Sequence, residues 1–265
     1  MKKLFATILA LAFIAQTASA QAACEGRTAC ILGDRSYHVR PPDVRGGDGP
    51  MPVLLHFHGW GRQGDLIVNH NRIATHTRNR GVLLLAPNGQ GRTWNFWREG
   101  SADVAFAAAV IEDAATRYDI DRSRIYVSGY SFGAAMAWRY ACDNGTDVAA
   151  LLAMSGSLPQ DTDCATAPAE VRHVHGLADT VMRFPMGAGG DQTYPVALWR
   201  DVYGCGAAQP EGDWKAVDWL TLDRTVWECD GGKVTLDVHN SGHFIPHGWI
   251  GWQLDQLAGR TPRFP

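Results

Sequence analysis

The sequence predicts a doubly wound α/β fold, a mostly parallel sheet with helices on both faces. Short continuous apolar runs recur from residue 35 onward, as in strands buried on both sides. Stretches with helical periodicity fall between them, and strand alternating with helix is the pattern of a doubly wound sheet. The strand candidates, in order, are residues 52–57 (PVLLHF), 81–87 (GVLLLAP), 124–128 (RIYVS), 148–154 (VAALLAM), 171–175 and 233–239 (KVTLDVH). Asp103 can cap a helix whose apolar stripe is Val104, Ala107, Ala108, Ile111, Ala114, Ala115 and Tyr118. The small apolar stretch 133–141 suits a helix packed tightly on a sheet, and residues 194–202 and 250–257 are the other helix candidates. Residues 181–232 are less regular, but Asp230, Gly231 and Gly232 mark a hairpin turn between 226–229 and 233–238.

Composition narrows the function classes. The 265 residues are 46% hydrophobic and 19% charged, which disfavours disordered, collagenous and coiled-coil chains. With 24 basic against 27 acidic residues and no basic stripe, nucleic acid is not expected as a partner. Lys2 and Lys3 lead an apolar run, and Ala18-Ser19-Ala20 supplies a cleavage site, so residues 1–20 read as a signal peptide. Residues 21–265 then form one catalytic domain with 22 basic and 27 acidic residues, net −5, and without a membrane span. The expected location is secreted or periplasmic. Cys24, Cys30, Cys142, Cys164, Cys205 and Cys229 all lie beyond the leader, and an even count in an exported chain suggests disulfides. Spacing alone leaves many pairings open; pairing in chain order is the simplest. The absence of a C-x-x-C makes a zinc site the weaker reading.

Gly129-Tyr130-Ser131-Phe132-Gly133 is a G-x-S-x-G between a strand candidate and a small-residue helix, the setting of a nucleophile elbow. A serine hydroxyl needs a base, and the base needs an orienting partner. In α/β-hydrolases these follow in the order Ser, Asp or Glu, His. Asp179 and His243 each follow a strand candidate and are the expected acid and base. The rivals are Asp191, in a Gly-rich loop, Asp201, late in a helix, and His247, four residues past His243. Pro246 argues against a helix bringing His243 and His247 onto one face. His173, His175 and His239 read as structural. The oxyanion donors are expected to be the backbone amides of Phe132 and of Trp60, whose neighbours Gly59 and Gly61 allow close backbone approach. His58 would brace that loop. Trp94 and Trp97 are either a buried pair or an aromatic wall beside the serine.

The stretches LLHFHGWG, LLLAPNG, WNFW, residues 102–143, HGLADTVM, WRDVYGCG and GHFIPHGW resemble secreted esterases related to poly(3-hydroxybutyrate) depolymerases and feruloyl esterases, close to carbohydrate esterase family 1. They span residues 52–248, about four-fifths of the chain after the leader. The resemblance implies an α/β-hydrolase fold and a Ser131–Asp179–His243 triad with no cofactor or metal. It also implies a disulfide between Cys142 and Cys164. Tyr130 and Phe132 stand where such relatives often carry small or polar residues, which makes Tyr130 a further substrate-contact candidate. The stretch 153–171, where a lid would be inserted, is short, so an open groove is expected. A short-chain, aryl or polymer-borne ester then suits better than a long triglyceride. The alternatives are a hydroxybutyrate oligomer depolymerase, a serine peptidase of the same fold and a non-catalytic binding protein.

Overall fold

In the computed structural model, residues 24–44 and 46–265 are described; the expected signal peptide lies outside them. In chain order the strands are β1 (Cys30–Leu32), β2 (Arg35–Arg40), β3 (Met51–Phe57), β4 (Leu83–Pro87), β5 (Ile120–Tyr130), β6 (Ala150–Met154), β7 (Glu170–Gly176), β8 (Gln209–Val217), β9 (Leu220–Cys229) and β10 (Gly232–His239). The α-helices are α1 (Gly64–Ile67), α2 (Ala74–Arg78), α3 (Ala102–Arg117), α4 (Phe132–Asn144), α5 (Ala197–Tyr203) and α6 (Trp249–Leu257). One ten-stranded sheet runs β1-β2-β4-β3-β5-β6-β7-β10-β9-β8. The stretch from β4 to β10 is parallel throughout, and it is built from the strands the apolar runs predict. The flanking strands β1, β2, β9 and β8 pair antiparallel at the two edges.

Alternate residues of a strand face opposite sides of the sheet, and here both sides are buried. Leu55, Leu85 and Val127 join one core with α3, α4 and α5, while their neighbours Leu54, Leu84 and Tyr126 join the other with α6. The cap of α3 is Ser101, which accepts from Val104 N; Asp103, the cap expected from sequence, lies two residues further on, inside the first turn. The chain passes from β6 to β7 with no helix or strand between, leaving the open edge expected without a lid. Disulfides join Cys24 to Cys30, Cys142 to Cys164 and Cys205 to Cys229.

The antiparallel edge is held by a buried ionic hub that the sequence did not announce. Asp237, fully buried, accepts from Arg224 Nε at 2.7 Å and Nη2 at 2.8 Å. It also accepts from the indoles of Trp214 at 2.9 Å and Trp249 at 2.7 Å. One carboxylate thus ties β8, β9, β10 and α6 together. Asp237→Ala strands the Arg224 guanidinium, 5% exposed, without its counter-ion. We expect a loss of about 3–5 kcal/mol, read as a lower urea midpoint at an unchanged slope.

Candidate active site

Because the central strands are parallel, the loops after β3, β5, β7 and β10 emerge at one edge of the sheet. The turn after β5 is sharp. Ser131 has φ 59° and ψ −125°, a conformation costly for a residue with a side chain, and α4 begins at the next residue. The turn closes because its flanking residues lack Cβ atoms. A Cβ on Gly129 would collide with Gly133 O, and one on Gly133 with Phe57 O. Ser131 N donates to Met154 O at 3.0 Å, pinning the elbow to the end of β6. Phe132, first residue of α4, has one of the helix's unsatisfied N-terminal amides at the positive end of its dipole.

Asp179 follows β7 and is fully engaged. Its Oδ1 accepts from the amides of Val181 at 2.9 Å and Met182 at 3.0 Å. Oδ2 accepts from His243 Nδ1 at 2.6 Å. Burial would raise the Asp179 pKa, but hydrogen bonds from His175, His243 and Val181 N outweigh it and lower the group to about 2. The carboxylate therefore stays ionised. The loops bearing Asp179 and His243 are zipped together, with Leu177 N donating to His239 O at 2.8 Å and Ala178 N to Ser241 O at 3.2 Å. Ser131, His243, Tyr130, Gly59 and Trp60 line one cleft of about 1010 Å3. The Tyr130 ring lies 4.7 Å from the His243 ring, a tilted stack over the imidazole. Burial, with Asp179 adding to it, pushes the Tyr130 hydroxyl up to about 12, so it stays protonated.

The loop after β3 approaches from the other side. A Cβ placed on Gly59 would lie 3.6 Å from Ser131 Cβ. His58, fully buried, braces this loop. Its Nδ1 donates to Gly59 O at 2.9 Å, and its Nε2 accepts from Gly89 N at 3.1 Å. Gly61 N donates to Arg92 O at 2.8 Å, which holds the turn carrying Trp60.

The sequence and the fold have counterparts among known proteins. A family model described as Phospholipase/Carboxylesterase matches residues 101–201, a span holding Ser131 and Asp179 but ending short of His243. A probable feruloyl esterase C of Aspergillus niger is 25% identical over 197 residues, 66% of this chain and 72% of that protein. The protein of that name from Aspergillus flavus is 27% identical over 161 residues, 59% of each chain. The solved acetyl xylan esterase from Aspergillus awamori superposes with a TM-score of 0.64 at 15% identity, covering 84% of this chain and 94% of that one. The chain has an α/β-hydrolase fold and is similar in sequence to proteins named as esterases. It spans between 59% and 72% of the length of those two curated relatives.

The remaining candidate residues divide by burial. Trp94 is 3% exposed, and its indole N–H donates to His58 O at 2.8 Å. It holds the Trp60 loop from behind and does not form a wall of the groove, correcting the expectation for that residue. Trp97 is 68% exposed and lies against Phe96, with ring centroids 4.1 Å apart. With Phe96 and Phe132 it lines a second hollow of about 530 Å3, bounded further on by Leu158 and Met182. Of the rivals, His247 packs edge-on to Trp219, Asp191 accepts from Thr193 N, and Asp201 is exposed in α5.

His175 has more to do than the sequence reading allowed. Its Nε2 donates to Met182 O at 2.8 Å and lies 3.4 Å from Asp179 Oδ2. That fixes Nδ1 as an acceptor, and His173 Nε2 donates to it at 3.2 Å. His173 is fully buried, and burial holds it well below the usual histidine range. The H-G-x-x-D spacing was the available signal, since it places the strand's last side chain beneath the aspartate. His175→Phe keeps a ring there but removes the donor to Met182 O and Asp179. We expect kcat to fall about tenfold or more, with KM little changed, in steady-state ester hydrolysis.

Proposed function

We propose that this protein is a secreted serine esterase acting through an acyl-enzyme intermediate on carboxylic esters with an aryl or short hydroxyalkanoate acyl group. The observation that carries the reading is the 2.6 Å bond from His243 Nδ1 to Asp179 Oδ2, with His243 and Ser131 lining one cleft. In the proposed reaction Ser131 Oγ attacks the ester carbonyl and His243 Nε2 takes its proton. Asp179, ionised, holds the Nδ1–H tautomer and stabilises the imidazolium. The amides of Phe132 and Trp60 receive the developing oxyanion, each worth about 3 kcal/mol of barrier. His243 returns its proton to the leaving alcohol, and then activates the water that releases the acid.

The hollow beside Phe132, walled by Trp97 and Phe96, suits a flat aromatic acyl group. That favours the feruloyl or aryl reading over the hydroxybutyrate oligomer, which needs no ring platform. The relatives named feruloyl esterase and acetyl xylan esterase support ester chemistry. Secretion is supported by the leader-like N-terminus and by three disulfides, which persist in oxidising compartments. The test is a panel of methyl ferulate, a hydroxybutyrate trimer, 4-nitrophenyl acetate and a matched amide. The reading expects a nitrophenol burst with the acetate and the highest kcat/KM with the ferulate. Preference for the amide would overturn it in favour of a peptidase, and turnover of none of the four would leave a binding protein.

A further inference from the structure

We infer that the cleft selects esters that also carry a free carboxylate, with Arg62 and Arg27 as the groups that bind it; this deepens the esterase reading of Ser131 and rests on it. Two hollows of opposite character meet at the elbow. The one reached through Phe132 is bounded mainly by aromatic and aliphatic side chains, and its single charged lining residue is Asp161. The one reached through Ser131 and His243 is lined by Arg27, Arg62 and Asp65. Two guanidiniums against one carboxylate leave that cleft net positive, in a chain whose overall formal charge is −3. Neither Arg27 nor Arg62 forms an ion pair among the described residues.

Both arginines are rooted in constrained backbone. Arg62 lies two residues past Trp60, in the turn closed by Arg62 N donating to Gly59 O at 3.2 Å. Arg27 sits inside the Cys24–Cys30 disulfide loop. Gly26 N donates to Val39 O at 2.8 Å, and the buried His38 Nδ1 donates to Gly26 O at 2.9 Å. Covalent closure and these anchors place Arg27 where the catalytic cleft joins a second hollow, whose charged lining residues are Asp34, Arg35 and the shared Arg27 and Asp65. Arg62 and Arg72 also lie near enough to Tyr130 for their charges to oppose the rise that burial gives its hydroxyl. The ionised Asp179 acts on the same hydroxyl in the opposite sense and more strongly than either arginine, so the positive charge is confined to the outer part of the cleft. A planar guanidinium matches a carboxylate through paired hydrogen bonds, and a neutral ester supplies no such partner. The apolar hollow then takes the hydrocarbon or aryl portion, and the carboxylate points the other way.

The test uses benzoate esters of linear ω-hydroxy acids of four to eight carbons, which carry the free carboxylate on the alcohol side, each against its methyl-capped counterpart, with the wild-type protein. At the best chain length kcat/KM should favour the free acid about five- to tenfold, mainly through KM. The preference should shrink as ionic strength rises past the range where the screening length falls below about 8 Å. In Arg27→Gln/Arg62→Gln the ratio should fall to about one, and Arg62→Glu should invert it. Single Arg27→Gln should give an intermediate ratio, with thermal melting confirming the fold of each variant. Equal turnover of acid and capped ester by the wild type, or a preference that survives in the double variant, overturns the carboxylate assignment and leaves the esterase reading standing. If neither ester of any pair is turned over, both fail.

Discussion

Ser131→Ala is expected to lower kcat for an activated ester by roughly 10^5 to 10^6, with KM and thermal stability close to wild type. The magnitude follows from what remains. Without the hydroxyl no acyl-enzyme can form, and turnover falls to what the oxyanion amides and substrate positioning achieve with water. The fold should not notice, because alanine keeps the Cβ and therefore the same backbone cost at φ 59°. Asp179→Asn should cost less, about 10^4, because it mis-sets the tautomer of His243 while leaving the nucleophile in place. A stopped-flow burst with a 4-nitrophenyl ester separates the two variants, since only the serine variant loses the burst outright. Ser131→Ala that kept a tenth of wild-type activity would remove Ser131 as the nucleophile, and with it the proposed mechanism.

Acid is expected to unfold this protein well above the range where carboxylates titrate. Burial lowers His56 to about 3, and His58, His76 and His239 each to about 4, against an ordinary value of 6.5. Each ring is no more than 2% exposed. The sign follows from proton counting. Between pH 6.5 and about 4 the unfolded chain binds protons at these positions and the folded chain does not. Their stabilising contribution is therefore complete above pH 6.5 and is lost as pH falls, by about 1.4 kcal/mol per pH unit for each histidine. One unit below 6.5, four such groups approach about 5 kcal/mol, which rivals the whole stability of a marginal domain. Asp179 works in a lower window, because its depressed pKa matters only as pH falls below its ordinary 3.8 toward 2. Urea midpoints at pH 7.5 and 5.5 provide the check. A midpoint equal or higher at pH 5.5 would show that these rings become charged within the fold.

The parallel core was legible because its signal is local and redundant. Each central strand is a run of apolar residues whose alternate members face two separate cores, so no other period competes. Apart from the β9–β10 hairpin, which forms at the expected turn of Asp230, Gly231 and Gly232, the edges were not legible, for the opposite reason. β8 is QPEGDWKAV, mostly exposed and broken by Pro210 and Gly212, and reads as loop. Charges, proline and glycine are what keep an edge strand from pairing with another chain, and they erase its pattern. Ser131, Asp179 and His243 could be proposed from sequence because chain order and strand-end position constrain them independently of packing, and in the fold His243 meets Asp179 and shares a cleft with Ser131. Trp94 went the other way, since composition cannot distinguish an indole facing substrate from one bonded to His58 O. Asp237 shows a similar limit. Nothing in KVTLDVH marks its aspartate as the anchor for an arginine and two indoles from three other elements.

The two backbone bonds between the turns after β7 and β10 restrict how this scaffold can be re-engineered. A chimera that imports either turn alone from another hydrolase would bring donors and acceptors cut for a different neighbour, and would displace carboxylate and imidazole relative to each other even with both side chains kept. Transplants at this rim should therefore move residues 176–182 and 239–243 together, as one cassette.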